Sequence, residues 1–237
     1  MSSDEPARPV DRDTFIQRNV EKLIAEFPTY LSFFEQRRPF SQEQLRAHVL
    51  AIDRRRTLGN VAAALGDDAF LRHLHRFLLP SWGIGVRESR LVDEATFFTA
   101  LRDSANQIES MNGITIDGND DDFNAARNTL SELVHNLPIV DNIARIVAVT
   151  KTLHHLLPDL VPPIDRTFTG SFFRWHRREF QDFQQRLSRT GFDTFRRIAV
   201  ATNPVQHVGA GWMTSRTKVI DNAIVGFCIR ERLPIPS

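Results

Sequence analysis

The chain has 237 residues, 41% of them hydrophobic and 25% charged, with 30 basic against 29 acidic side chains. That composition excludes collagen-like, low-complexity and disordered chains, and the length allows one large domain or two small ones with a real core. No apolar run approaches the roughly 18 residues of a membrane span, the net charge of +1 supplies no global field for nucleic acid, and the single cysteine, Cys228, excludes an internal disulfide framework, so a cytoplasmic protein with no membrane partner is expected.

Met1 to Asp13 is polar, contains prolines and lacks an apolar signal region, so residues 1–12 read as a flexible tail and 13–237 as one helical domain. Asp13 is placed to cap a first helix, in which Ile16, Val20, Leu23, Ile24 and Phe27 share a face before Pro28 breaks it. Ser41-Gln42-Glu43-Gln44 reads as a capping box opening a helix with Leu45, Val49 and Ile52. Asp67 or Asp68 opens a third, carrying Phe70, Leu71, Leu74, Phe77 and Leu78 and stopping at Pro80. After Gly83-Ile84-Gly85, Asp93 opens a helix with Phe97, Phe98, Leu101 and Ile108 that ends at Asn112-Gly113.

Residues 113–117 read as a loop, and Asp122 starts a helix carrying Phe123, Ala126, Leu130, Leu133, Val134 and Leu137. Asp141 is placed to cap a helix with Ile143, Ile146, Val147, Leu153, Leu156 and Leu157, stopped by Pro158. Asp165 follows Pro162-Pro163 and opens a helix with Phe168, Phe172, Phe173 and Trp175. A weaker helix covers 192–201, and a last one holds Val219, Ile220, Ala223, Ile224, Phe227 and Cys228. The pattern predicts an all-α protein, a compact orthogonal bundle of about nine helices, in one unit or two lobes hinged near 83–92 or 112–122.

Several polar clusters invite a chemical reading. Asp117, Asp120, Asp121 and Asp122 lack the glycine position and distal glutamate of a calcium loop and suit the start of a helix instead. His73 and His75 lie on different faces of a helix, and the adjacent pair His154 and His155 is expected to point apart, so no metal site and no cofactor is expected. Gly83-Ile84-Gly85 lacks the third glycine and preceding strand of a dinucleotide loop. Cys228 follows Ile220 and Ile224 at four-residue steps, which places it in the core.

Residues 166–197 are the one basic stretch, with eight arginines against Glu179, Asp182 and Asp193, a local +5. Phe172, Phe173, Trp175, Phe180 and Phe183 are interleaved with them. Arg166, Arg174, His176, Arg177 and Arg178 are therefore candidates for binding nucleic acid or another anion, with the aromatics either stacking on bases or filling a core. Near the C-terminus, Trp212 follows small residues, and Lys218, Asp221 and Asn222 share a helix face. With His154 they form a candidate pocket or polar network.

Only Lys22, Lys151 and Lys218 are lysines among the 30 basic residues. Lys151 lies in the segment IVAVTKTLHHLLPDLVPPIDRTFTGSFF, residues 146–173, where a lysine on a helix is followed by a proline-rich connection and then an aspartate at a helix start. This segment resembles the centre of the helix-hairpin-helix DNA glycosylase superfamily. Val147 and Val149 stand where that family has its hairpin glycines, and the Lys151–Asp165 spacing is shorter than the family's. The resemblance implies that Asp165 stabilises charge on a sugar as its base departs, that Lys151 attacks that sugar, and that DNA is the partner. Read from the residues alone, Asp165 is equally an N-cap. The leading expectation is a bacterial, nucleic-acid-associated, glycosylase-like protein; the alternatives are a binder or enzyme for a small anion, using Arg166, Arg174, His176 and Trp212, and a non-catalytic protein-interaction domain.

Overall fold

A computed structural model describes residues 11–85, 90–142 and 145–235. Most of the expected tail, residues 1–10, and Ile143 of the expected helix lie outside these. The first helix, α1 (Arg12–Ala25), begins earlier than the sequence suggests, because Asp11 rather than Asp13 accepts the Thr14 N–H. Pro28 ends α1 but also occupies the first turn of α2 (Phe27–Arg37), where its missing N–H costs nothing. The Ser41/Gln44 capping box opens α3 (Gln42–Leu58) as expected.

Asn60 caps a short α4 (Val61–Gly66), and Asp67 caps α5 (Asp68–His73). That helix continues through a π-helical turn, Leu74–Leu78, into α6 (Leu79–Ser81). Asp93 caps α7 (Glu94–Asp103), and α8 (Ala105–Glu109) follows. The acidic run starts α9 (Asp120–Asn136), whose cap is Asn119. Asp117 pairs with Arg216, and Asp120 with Arg196, so part of the run is tied into the fold.

Asp141 does not cap α10 (Ile146–Leu156). A remote side chain does so instead: Gln184 Oε1 accepts the N–H groups of Arg145 and Ile146 at 2.6 and 2.8 Å. Asp165 accepts the Phe168 N–H at 2.7 Å at the start of α11 (Phe168–Phe173). After α12 (Glu179–Asp182), α13 (Gln184–Thr202) is longer than its expected 192–201. Ser215 caps the last helix, α14 (Arg216–Arg230). Taking Asp68–Ser81 as one rod, nine helices run seven residues or more, and the described residues contain no strand. The all-α class therefore holds.

One apolar cluster runs from Val20 of α1 to Cys228 of α14. Two helices are enclosed in it almost entirely. On α10 every residue but Val147 is buried, and on α14 every residue from Thr217 to Cys228. The α2–α14 crossing is so close that a Cβ at Gly226 would stand 2.1 Å from the Tyr30 carbonyl oxygen. Enclosure forces the polar residues of α10 and α14 to find partners inside the protein. Thr150 and Thr152 donate to the carbonyls of Ile146 and Ala148, four residues back. Lysines, histidines and an aspartate remain, and they build the site.

A candidate active site at a buried lysine

Lys151 is only 6% exposed, yet it lies at the wall of a pocket of about 480 Å³. Phe40, Trp82 and Phe168 supply aromatic walls, Asp165 faces in from just before α11, and Arg166 and Arg177 add positive charge to the lining. The Lys151 ammonium sits 3.9 Å from the centroid of the Trp82 ring. Ring and cation attract because the ring face is electronegative. Burial disfavours the charged amine and lowers its pKa to about 8; the carboxylates of Asp165 and Asp221 oppose this, and the Lys218 ammonium adds to it. Such an amine is largely charged at neutral pH but carries a neutral fraction able to act as a nucleophile.

Burial likewise raises the Asp165 carboxyl pKa, while the Lys151 ammonium and the Phe168 and Thr167 amides pull it back. Asp165 thus lines the pocket and accepts the first N–H of α11 from outside the helix, whose N-cap residue is Thr167. Lys151 and Asp165 line one cavity because the proline-rich connection between them folds back along α10, where the Ile164 N–H donates to Thr150 Oγ1 and the Val161 carbonyl accepts from His154.

Behind Lys151 lies Lys218, 2% exposed and paired with Asp221 one turn along α14. Its ammonium is ringed by Phe40 at 5.1 Å, Trp82 at 5.8 Å and Trp212 at 5.1 Å. Asn222 donates to the Trp212 carbonyl at 2.9 Å and so fixes the loop that carries this ring. Lys218, Asp221, Asn222 and Trp212 therefore touch one another and share Phe40 and Trp82 with the pocket, whereas His154, expected with them, packs against His48 and His155.

The chain matches no protein-family model, no curated protein and no solved structure.

Other expected residues are placed elsewhere. Arg174 lies over the Phe15 ring at 4.8 Å, and Arg174, His176 and Arg178 do not line the Lys151 pocket. The anion set of Arg166, Arg174, His176 and Trp212 is not assembled at one place. Nor do the basic-stretch arginines form one face: Arg196 is spent on the carbonyls of Ile116 and Gly118, and Arg197 on Gln17. Phe172, Phe173, Trp175 and Phe180 are core residues, while Phe183 is exposed. Cys228 is buried, with its thiol pushed up in pKa by burial and donating to the Phe168 carbonyl.

One expectation is overturned. His154 and His155 do not point apart but meet, with ring centroids 5.0 Å apart and planes at 90°. Their Cβ atoms diverge, as adjacent helical residues must, but both rings swing towards His48 of α3. His48 bonds His155 at 2.9 Å and stacks on His154 at a centroid distance of 5.8 Å. Sequence reasoning passed over Phe40, Trp82 and His48. His48 lies three residues after Leu45 and four before Ile52, on the expected apolar face of α3, and that was its one available signal.

Proposed function

We propose that this chain is a nucleic-acid-associated protein of the DNA-glycosylase type, with Lys151 as nucleophile and Asp165 as the charge-stabilising carboxylate. The carrying observation is that these two residues line the same aromatic-walled pocket, which is of a size to take one nucleoside unit. The faces of Phe40, Trp82 and Phe168 suit a base turned out of its stack, and Arg166 and Arg177 suit the adjacent phosphates.

In this reading the C1′–N bond breaks and its electron pair leaves with the base. Asp165 stabilises the positive charge that develops on the sugar. The neutral Lys151 amine adds to C1′, forms a C–N bond and gives up a proton; ring opening then yields an imine. The lowered lysine pKa supports the nucleophilic role, because it raises the neutral fraction at physiological pH.

The test is reductive trapping. The protein is incubated with duplex DNA containing one abasic site, where the same imine forms from the sugar aldehyde with loss of water, and borohydride is added. A covalent protein–DNA adduct is expected, and Lys151→Ala abolishes it. Binding to the same duplex falls steeply as salt rises. Absence of both binding at low salt and adduct would remove this reading.

A further inference from the structure

The three histidines that meet beneath Lys151 are arranged as ligands. Each ring offers a nitrogen, and the three nitrogens lie within 4.8 Å of one another, all three residues being buried. Backbone carbonyls only accept, so each ring nitrogen bonded to one carries the proton. His154 Nδ1 faces the Val161 carbonyl at 2.8 Å, and His155 Nδ1 faces the Lys151 carbonyl at 2.7 Å. Both rings are thereby held with Nε2 bare. His155 Nε2 accepts from His48 Nδ1 at 2.9 Å, but His154 Nε2 has no partner although the residue is fully buried.

We propose that His48, His154 and His155 bind a divalent transition-metal ion of the imidazole-preferring class, represented by Zn²⁺. His154 and His155 ligate through Nε2 and His48 through Nδ1, with a solvent molecule completing the shell.

Three observations carry the assignment. First, the unpartnered His154 Nε2 gains the electron-pair acceptor that the protein does not supply. Second, the outer ring nitrogens already have the hydrogen-bond partners that orient metal-bound histidines. His48 Nε2 lies 2.7 Å from Thr214 Oγ1, and a hydroxyl can donate or accept, so His48 can move its proton from Nδ1 to Nε2 and keep its Thr214 bond, while the hydrogen bond to His155 gives way to the metal. Third, the His48–His155 separation is close to that of two ligands on one ion, and all three nitrogens lie within 4.8 Å. Two nitrogens on a tetrahedral Zn²⁺ stand about 3.3 Å apart for Zn–N bonds of about 2.0–2.1 Å, so the His48–His155 contact opens by a few tenths of an ångström.

The two nearby ammonium groups do not forbid a cation there. Lys218 is paired with Asp221, and Lys151 has Asp165 across its pocket, so these four groups sum to no net charge. The ion would brace α3 against α10, and through His155 it would hold the Lys151 carbonyl. It stands apart from the DNA reading and is tested without it.

The full chain is stripped with chelator, desalted, and given Zn²⁺ or Co²⁺. One equivalent of Zn²⁺ is retained through a second desalting, the thermal midpoint rises, and Co²⁺ produces the visible absorption of a tetrahedral imidazole site. Thr214→Val, which removes the His48 partner, weakens affinity about 10–100-fold. His48→Gln and His154→Gln abolish uptake while helical circular dichroism persists. If those variants fail to fold, the Co²⁺ spectrum of the native chain decides alone. No retained Zn²⁺ with an unmoved midpoint overturns the proposal, as does uptake that survives in both folded histidine variants.

Discussion

The Lys151 ammonium lies 3.9 Å from the centre of the Trp82 indole, inside a protein where that lysine is only 6% exposed. The folded-state pKa, about 8, is below the ordinary lysine value of 10.5. Between these two values the unfolded chain holds a proton that the folded chain lacks, so this residue makes stability rise with pH across that window. Lys151→Met removes the component. Denaturant titrations at pH 7 and pH 10 are expected to show the native chain gaining on the variant by about 2–3 kcal/mol at the higher pH. An unchanged difference between the two proteins would show that Lys151 titrates normally.

The same value sets the pH dependence of trapping. Adduct formation rises through about pH 8 rather than following an ordinary lysine towards 10.5. Asp165→Asn keeps an oxygen for the Phe168 N–H, and asparagine caps about as well as aspartate. Its helical circular dichroism is therefore retained. The carboxylate that raises the Lys151 pKa is gone, so the trapping profile moves to lower pH, whereas base excision from intact nucleotides is lost.

Lys218 and Asp221 form an ion pair in which both side chains are almost completely enclosed. Removing one partner strands the other's charge in the core. Asp221→Asn is expected to cost about 3–5 kcal/mol. Lys218→Met with Asp221→Leu regains much of this loss, as read by equilibrium unfolding. A single variant of native stability would mean that water reaches the pair.

Gln184 closes the first turn of α10 from another helix, accepting two N–H groups. Gln184→Ala leaves both unsatisfied and is expected to destabilise by about 1–2 kcal/mol, like the loss of a helix cap. Faster amide exchange at Arg145 and Ile146 locates the effect.

Gly226→Ala drives a methyl group into the Tyr30 carbonyl of α2, a rigid backbone neighbour. Overpacking of this kind costs about 1–3 kcal/mol where side chains can yield. Here the backbone must shift, so the loss falls at or above the top of that range, measured as a fall in thermal midpoint.

Most of the longer helices were legible in the sequence, because apolar spacing and capping residues act locally; α2 and the short α4 were not, since Pro28 reads as a break although it also starts a helix. Ser41, Asp67 and Asp93 cap where their side chains reach amides three residues on, and no distant partner is needed. Where the cap is supplied from afar, local reading fails: Asp141 looked the natural cap for α10, but Gln184 holds it. Lys151 and Asp165 could be singled out as unusual, yet their convergence on one pocket depends on the proline-rich connection folding back along α10. The histidines show the limit most clearly. Sequence adjacency fixes only where the Cβ atoms of His154 and His155 point; the rings reach several ångströms further, and the α3–α10 packing that brings in His48 decides that they meet. Sequence determined most of the longer helices and which residues are chemically capable. Tertiary structure alone decided which of them are buried together, and burial is what lowers the Lys151 pKa and leaves His154 with a bare nitrogen.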